Sequence, residues 1–189
     1  MTNSTNNNPV LITGCSSGIG LSTAKLLHEH NWCVYATARK DEDLKNLSLI
    51  GCKAIKLDLN NLSSINECVN FVSNDSKGSL LAVINNAGYG LPGAIEDLDY
   101  DKIVKQFNVN LFGAIELTNQ LIPMLLNQKK SNIVYVSSLV GRLSLPFMGI
   151  YSATKFAMEA VADAQRIELS DTPIKVSLIE PGPISSKFS

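Results

Sequence analysis

Short apolar runs alternate with longer amphipathic stretches along almost the whole chain, and no other feature restricts its fold as much. Residues 10–13, 32–38, 52–57, 80–85, 132–137 and 174–179 are predicted strands, brief and rich in β-branched and aromatic side chains. Helices are predicted over residues 18 to about 30, 41–47, 62–76, from 99 onward, and 151–170. The first has Ile19, Ala24, Leu26 and Leu27 as its buried side, and Asp41 is the N-cap expected for the second. In the stretch that Asp99 opens, Ile103, Val104, Phe107, Leu111 and Ile115 recur at helical spacing, and Pro123 marks a kink or a reset near its end. Near-continuous apolar strands separated by helices imply a parallel sheet covered on both faces. Right-handed crossovers then leave a doubly wound, three-layer α/β/α sheet as the economical topology. No repeat or linker interrupts the pattern, so one domain is expected over residues 9–189.

Composition narrows the function classes. A net charge of −1, with acids and bases interspersed, leaves no basic face for a nucleic-acid partner. Cys15, Cys33, Cys52 and Cys68 are scattered, without metal-ligand spacing, so no metal is expected. Buried, reduced thiols in the cytoplasm are the reading they favour. His28 and His30, two apart, point to different faces of a helix end. Residues 1–8 are polar and Asn-rich, which predicts a disordered tail and not a signal peptide. No apolar run approaches membrane-spanning length, so no span is expected.

The first predicted strand runs straight into Thr13-Gly14-Cys15-Ser16-Ser17-Gly18-Ile19-Gly20, which opens the first helix. Glycine permits a tight turn and lets the backbone approach a pyrophosphate, while the helix N-terminus supplies free N–H groups and positive dipole. Two glycines occur in many turns. Between the first strand and first helix of an alternating chain they indicate a Rossmann-like dinucleotide site formed by Gly14, Ser16, Ser17, Gly18, Ile19 and Gly20. At the end of the second strand, an acid would bond the ribose hydroxyls and repel a 2′-phosphate. Ala38 stands there instead, followed by Arg39 and Lys40. Arg39 can hold a phosphate bidentately, with Ser16 or Ser17 adding a hydroxyl; the competing account is a solvated basic turn. NADP(H) is therefore expected over NAD(H).

Tyr151 and Lys155 are four apart on a predicted helix and share a face. Their helix follows a strand ending in Ser137-Ser138, at the edge where doubly wound sheets bind ligands. A phenol with a pKa of about 10 is a poor acid–base at neutral pH. An adjacent ammonium is expected to lower it towards the working range. Strand alternation sends Ser137 and Ser138 to opposite faces.

Thr13-Gly14-x-x-x-Gly18-x-Gly20, Asn85-Asn86-Ala87-Gly88, Tyr151-x-x-x-Lys155 and Pro181-Gly182 occur in that order. The set, spanning Thr13 to Gly182, resembles the short-chain dehydrogenase/reductase family. The resemblance implies a carbonyl–alcohol oxidoreductase in which hydride moves between a nicotinamide and the substrate carbon while Tyr151 handles the oxygen's proton. It also implies that Lys155 bonds the nicotinamide ribose, that Ser138 holds the substrate oxygen, and that Asn110, favoured over Asn108, kinks the long helix and holds a relay water. Asp58 would meet the adenine, Asn86, Ala87 and Gly88 would run beside the adenine ribose, and Pro181, Gly182, Ile184 and Ser186 would flank the nicotinamide. Ser186 stands where the family usually has threonine. A homodimer or homotetramer is implied by the same analogy.

The family pattern continues past this length with a mobile substrate loop, a helix and a seventh strand. Tyr89, Leu91, Val140, Leu143, Pro146, Phe147 and Met148 are the remaining expected pocket walls, with ordinary core or interface as their alternative. Three readings follow: an NADP-dependent carbonyl reductase or alcohol dehydrogenase, a nucleotide-binding or dimerising protein without turnover, and a sugar-nucleotide epimerase or dehydratase. Glycine spacing and the lack of a second domain argue against the last.

Overall fold

In the computed structural model, which describes residues 8–184, six parallel strands form one sheet in the order β3-β2-β1-β4-β5-β6. They are β1 (Asn8–Ile12), β2 (Trp32–Ala38), β3 (Lys53–Lys56), β4 (Ala82–Asn85), β5 (Ser131–Val136) and β6 (Ile174–Ile179). The helices are α1 (Gly18–Glu29), α2 (Asp41–Leu49), α3 (Leu62–Asp75), α4 (Tyr100–Phe107), α5 (Gly113–Leu126) and α6 (Gly149–Glu168). Asn8, placed in the tail by sequence, pairs with Trp32 in the sheet; residues 1–7 and Ser186 lie outside the described residues.

Strand alternation divides the core into two layers. Val10 and Ile12 of β1, with Val34 and Ala36 of β2, pack under Ala24 of α1 and Leu47 of α2. Leu11, Tyr35, Val83 and Ile133 face the other way, against Cys68 of α3, Leu117 and Leu121 of α5, and Met158 and Ala162 of α6. The chain order reverses between β1 and β4, and this switch point opens the crevice in which such sheets bind ligands.

The expectation of two covered faces fails at the β6 edge. Ile174 and Val176 are buried against α6, whereas Lys175 and Ser177 on the opposite face are exposed. Leu26 is likewise exposed, because two residues past Ala24 is more than half a turn from the buried face. Asp41 begins α2 without capping it; Lys40 is the cap residue, and the Asp41 carboxylate pairs with Lys56 at 2.9 Å. Asn61 caps α3, accepting from the backbone N–H groups of Ser63 and Ser64.

The long helix differs most from its prediction. A π-helical turn, Asn108–Phe112, joins α4 to α5, and Pro123 neither ends nor resets the helix. The carbonyl that Pro123 leaves unbonded belongs to Asn119, an exposed position where water can satisfy it. The joined helix, Tyr100–Leu126, is 27 residues long and by length and composition alone could cross a membrane, contrary to the expectation that no stretch approaches that length. Much of its apolar surface is core: Leu117, Leu121 and Leu125 are fully buried under the sheet.

Candidate active site

The glycine loop is fastened to the carboxyl ends of three strands. Cys15 N donates to Thr37 O at 2.7 Å, and Gly14 N to Thr37 Oγ1 at 3.3 Å. Thr13 Oγ1 accepts from Asn86 N at 3.0 Å and Ala87 N at 2.9 Å, while Asn86 Nδ2 donates to the carbonyls of Thr13 and Gly14. Glycine is required by this packing. A Cβ on Gly20 would lie 2.4 Å from Gly14 O, and one on Gly14, at φ +72, would lie 2.7 Å from Ala87 Cα. Ser17 caps α1 with extended backbone and no side-chain bond to the first turn, so the first-turn N–H groups of Gly18, Ile19 and Gly20 have no side-chain cap. Ser16 is exposed beside them.

The other residues expected from sequence to hold the cofactor, among those described, lie along the same edge. Arg39 is exposed at the end of β2, close enough to Tyr89 to favour its phenolate, although burial raises that phenol more. Asp58 stays half-buried after β3, its Oδ1 accepting from Asn60 N at 2.9 Å. Pro181 O accepts from Leu139 N at 2.9 Å, which sets Pro181, Gly182 and the exposed Ile184 beside the turn after β5. Glycines that backbone packing demands, an uncapped helix start and an exposed cation at the end of β2 fit a nicotinamide dinucleotide.

Around Gly88 the catalytic candidates converge. A Cβ on Gly88 would lie 3.2 Å from Asn110 Oδ1 and 3.8 Å from Lys155 Nζ. Asn110 is fully buried in the π turn; its Oδ1 accepts from Tyr89 N at 3.0 Å and its Nδ2 donates to Tyr89 O at 2.9 Å. Asn108 instead donates to Asn60 on the surface. Of the residues flanking Asn110, Val109 and Leu111 are buried and Phe112 is exposed. Lys155 Nζ donates to Val136 O at 2.7 Å and stands 5.8 Å from the centre of the Tyr151 ring. Ser138 hydrogen-bonds Tyr151 and, through Oγ, accepts from Val140 N at 3.3 Å. Ser137 points elsewhere, towards Gly141.

The electrostatics revise one expectation. Burial raises the Tyr151 phenol above its usual value, and the Ser138 hydrogen bond opposes that rise. Burial also lowers Lys155 to about 8, with Glu159 as the opposing charge. Desolvation is the largest influence on both groups.

Three residues outside the sequence-derived set complete the frame. Thr154 Oγ1 donates to Tyr151 O at 2.7 Å and accepts from Asn110 Nδ2 at 3.1 Å. Gln106, fully buried, donates to Tyr89 O at 2.8 Å. Thr13 was legible only as a motif letter, and its hydroxyl holds the turn at Asn86. Of the wall residues, Val140 is buried and Tyr89, Leu91 and Met148 are half-buried, while Leu143, Pro146 and Phe147 are exposed. Phe147 O accepts from Gly93 N at 2.8 Å, drawing the loop after β4 against the segment before α6.

The fold and this cluster are those of a nicotinamide-dependent oxidoreductase scaffold. The sequence profile of the short chain dehydrogenase family matches residues 8–189. The oxidoreductase YbbO of Escherichia coli (strain K12) is 41% identical over 180 residues, covering 95% of this chain and 67% of the relative. The NADPH-dependent 1-acyldihydroxyacetone phosphate reductase of Schizosaccharomyces pombe is 37% identical over 180 residues, covering 95% and 60%. A solved short-chain dehydrogenase from Streptomyces avermitilis superimposes with a TM-score of 0.91 at 31% identity, covering 96% of this chain and 67% of its own. The chain belongs to the short-chain dehydrogenase family. It spans 60–67% of the length of these relatives.

Proposed function

We propose that this protein is an NADP(H)-dependent oxidoreductase that interconverts a carbonyl and a primary or secondary alcohol on a small molecule. The observation that carries the reading is the hydrogen bond between Ser138 and Tyr151, with Lys155 one turn further along the same helix. Ser138 holds the substrate oxygen and restrains its developing charge. Tyr151 gives that oxygen a proton or takes one from it. Burial keeps the phenol protonated at neutral pH, the state needed for reduction of a carbonyl. Lys155 fixes the tyrosine's surroundings as a buried cation, and Asn110 holds the Tyr89 turn from behind.

A bound nicotinamide supplies or accepts the hydride. The loop from Gly14 to Gly20, Arg39, Asp58, the turn from Asn86 to Gly88, Lys155, and Pro181, Gly182 and Ile184 would hold it. Preference for NADP(H) is supported by Arg39 in place of an acid and by the NADPH dependence of the Schizosaccharomyces pombe relative. Exposed Tyr100 on α4, Phe112 in the π turn, and Phe156 and Ile167 on α6 support a homodimer or homotetramer. Free cysteines are consistent with a cytoplasmic setting.

Titration with NADPH and NADH, followed by a panel of aldehydes and ketones, tests the reading. Tighter NADPH binding with turnover of at least one carbonyl is expected. Binding without any turnover would overturn the enzymatic reading in favour of a nucleotide-binding or dimerising protein.

A further inference from the structure

Glu159 lies one turn beyond Lys155 on α6, is 5% exposed, and has no part in the proton transfer described above. A buried carboxylate is costly unless it is paired and hydrogen-bonded. Arg142 Nη2 approaches Glu159 Oε2 to 3.0 Å, yet neither carboxylate oxygen accepts a well-directed hydrogen bond from a described residue. The same nitrogen lies 2.9 Å from Glu180 Oε1, which also accepts from Arg142 Nε at 3.2 Å. One cation is thus divided between a carboxylate on α6 and another at the end of β6. Gly141 makes the approach possible: a Cβ there would lie 3.2 Å from Glu159 Oε1 and 2.7 Å from the unpartnered Ser137 hydroxyl.

The groups around Lys155 come from several elements. Tyr151 and Glu159 flank it on α6, and the Val136 carbonyl meets it from β5. Arg142 stands behind Glu159, with Glu180 and Asp163 around that guanidinium. Across Gly88 lie neutral Asn110 and the turn of Tyr89, which has Arg39 beside it. Glu159 is the acid among them that acts on the ammonium.

We propose that Glu159 is a positioning residue: its carboxylate, shared with Arg142, sets the charge of Lys155 from the side away from Tyr151, and Arg142 links that charge to the strand end at Glu180-Pro181. The proposal rests on the reading of Lys155 as part of the proton-transfer site.

It is tested by NMR titration of the Lys155 side chain in cofactor-free protein carrying isotope-labelled lysine, assigned with Lys155→Met. Glu159→Gln is expected to move the midpoint to lower pH, and Glu159→Asp to restore it towards wild type. Arg142→Gln is expected to move it to higher pH, because the carboxylate is then no longer shared. A cluster that is only structural would lower stability in these variants without moving Lys155. An unmoved midpoint, or shifts of the same sign in Glu159→Gln and Arg142→Gln, would overturn the proposal. Should Glu159→Gln fail to fold, Arg142→Gln, altered at the exposed end, decides by the sign of its shift. Turnover separates the two readings. If Lys155→Met retains wild-type kcat, the site assignment itself fails; if it loses turnover and Glu159→Gln leaves the midpoint unchanged, only this proposal fails.

Discussion

Asn110 Nδ2 donates to Thr154 Oγ1 at 3.1 Å, fastening the π turn of one helix to the residue just before Lys155 on another. Thr154 passes the contact on to the Tyr151 carbonyl, and Asn110 also bonds both backbone groups of Tyr89. Three elements are thus locked at the point where the proton-transfer residues meet.

Removing that lock is costly. Asn110→Ala leaves Tyr89 N without its partner and is expected to destabilise the fold by about 1–3 kcal/mol. Urea unfolding measures this loss, and kcat is expected to fall roughly tenfold or more as Tyr151 and Lys155 lose alignment. Unchanged stability and kcat would show that the lock is dispensable.

Tyr151→Phe keeps the ring and its packing but removes the proton. We expect cofactor affinity within a few-fold of wild type and kcat lower by roughly 10²–10⁴. Stopped-flow turnover beside a binding titration distinguishes this from misfolding. Near-normal turnover would remove Tyr151 from the mechanism.

Arg39→Asp replaces a cation at the end of β2 with the acid that would meet ribose hydroxyls. A charged hydrogen bond contributes about 1.5–3 kcal/mol, so the NADP(H)-over-NAD(H) selectivity should fall by roughly tenfold or more. Unaltered selectivity would return Arg39 to the role of a solvated turn residue.

Lys155 gives a pH signature independent of activity. Its folded value of about 8 lies below the unfolded value of 10.5, so the unfolded chain binds the proton more tightly. The burial penalty is fully present below pH 8 and is relieved as pH rises towards 10.5. The difference of 2.5, at about 1.4 kcal/mol each, makes wild type gain up to about 3 kcal/mol over this window relative to Lys155→Met. Parallel stability curves for the two proteins would contradict the buried-ammonium description.

The strands and the glycine loop could be read from sequence because their signals are local. β2 and β6 have their predicted bounds, since apolar runs and turn residues mark both ends. The arrangement around Asn110 was less legible. A π turn has no compositional mark, and the fastening by Thr154 and Gln106 depends on contacts 44 and 17 residues away in the chain. The sign of the Tyr151 shift was missed for a related reason. Pair spacing reveals a neighbouring charge, whereas desolvation depends on everything packed around the pair. The exposed β6 face shows the same limit: Lys175 and Ser177 alternate with apolar neighbours, but the run as a whole read as buried.

The turn at Asn108–Phe112 carries an extra residue in its hydrogen-bonded ring, at some cost in backbone bonding. Deleting one residue there would restore a regular helix with a better hydrogen-bond ladder and would rotate Asn110 relative to α5 by about 100°. The recovered ladder bond would be set against the buried bonds of Asn110 to Tyr89 and Thr154, so the deletion would forfeit turnover without a gain in heat resistance. In this short stretch backbone regularity is given up for the position of one side chain, and that side chain returns the loss through its own bonds.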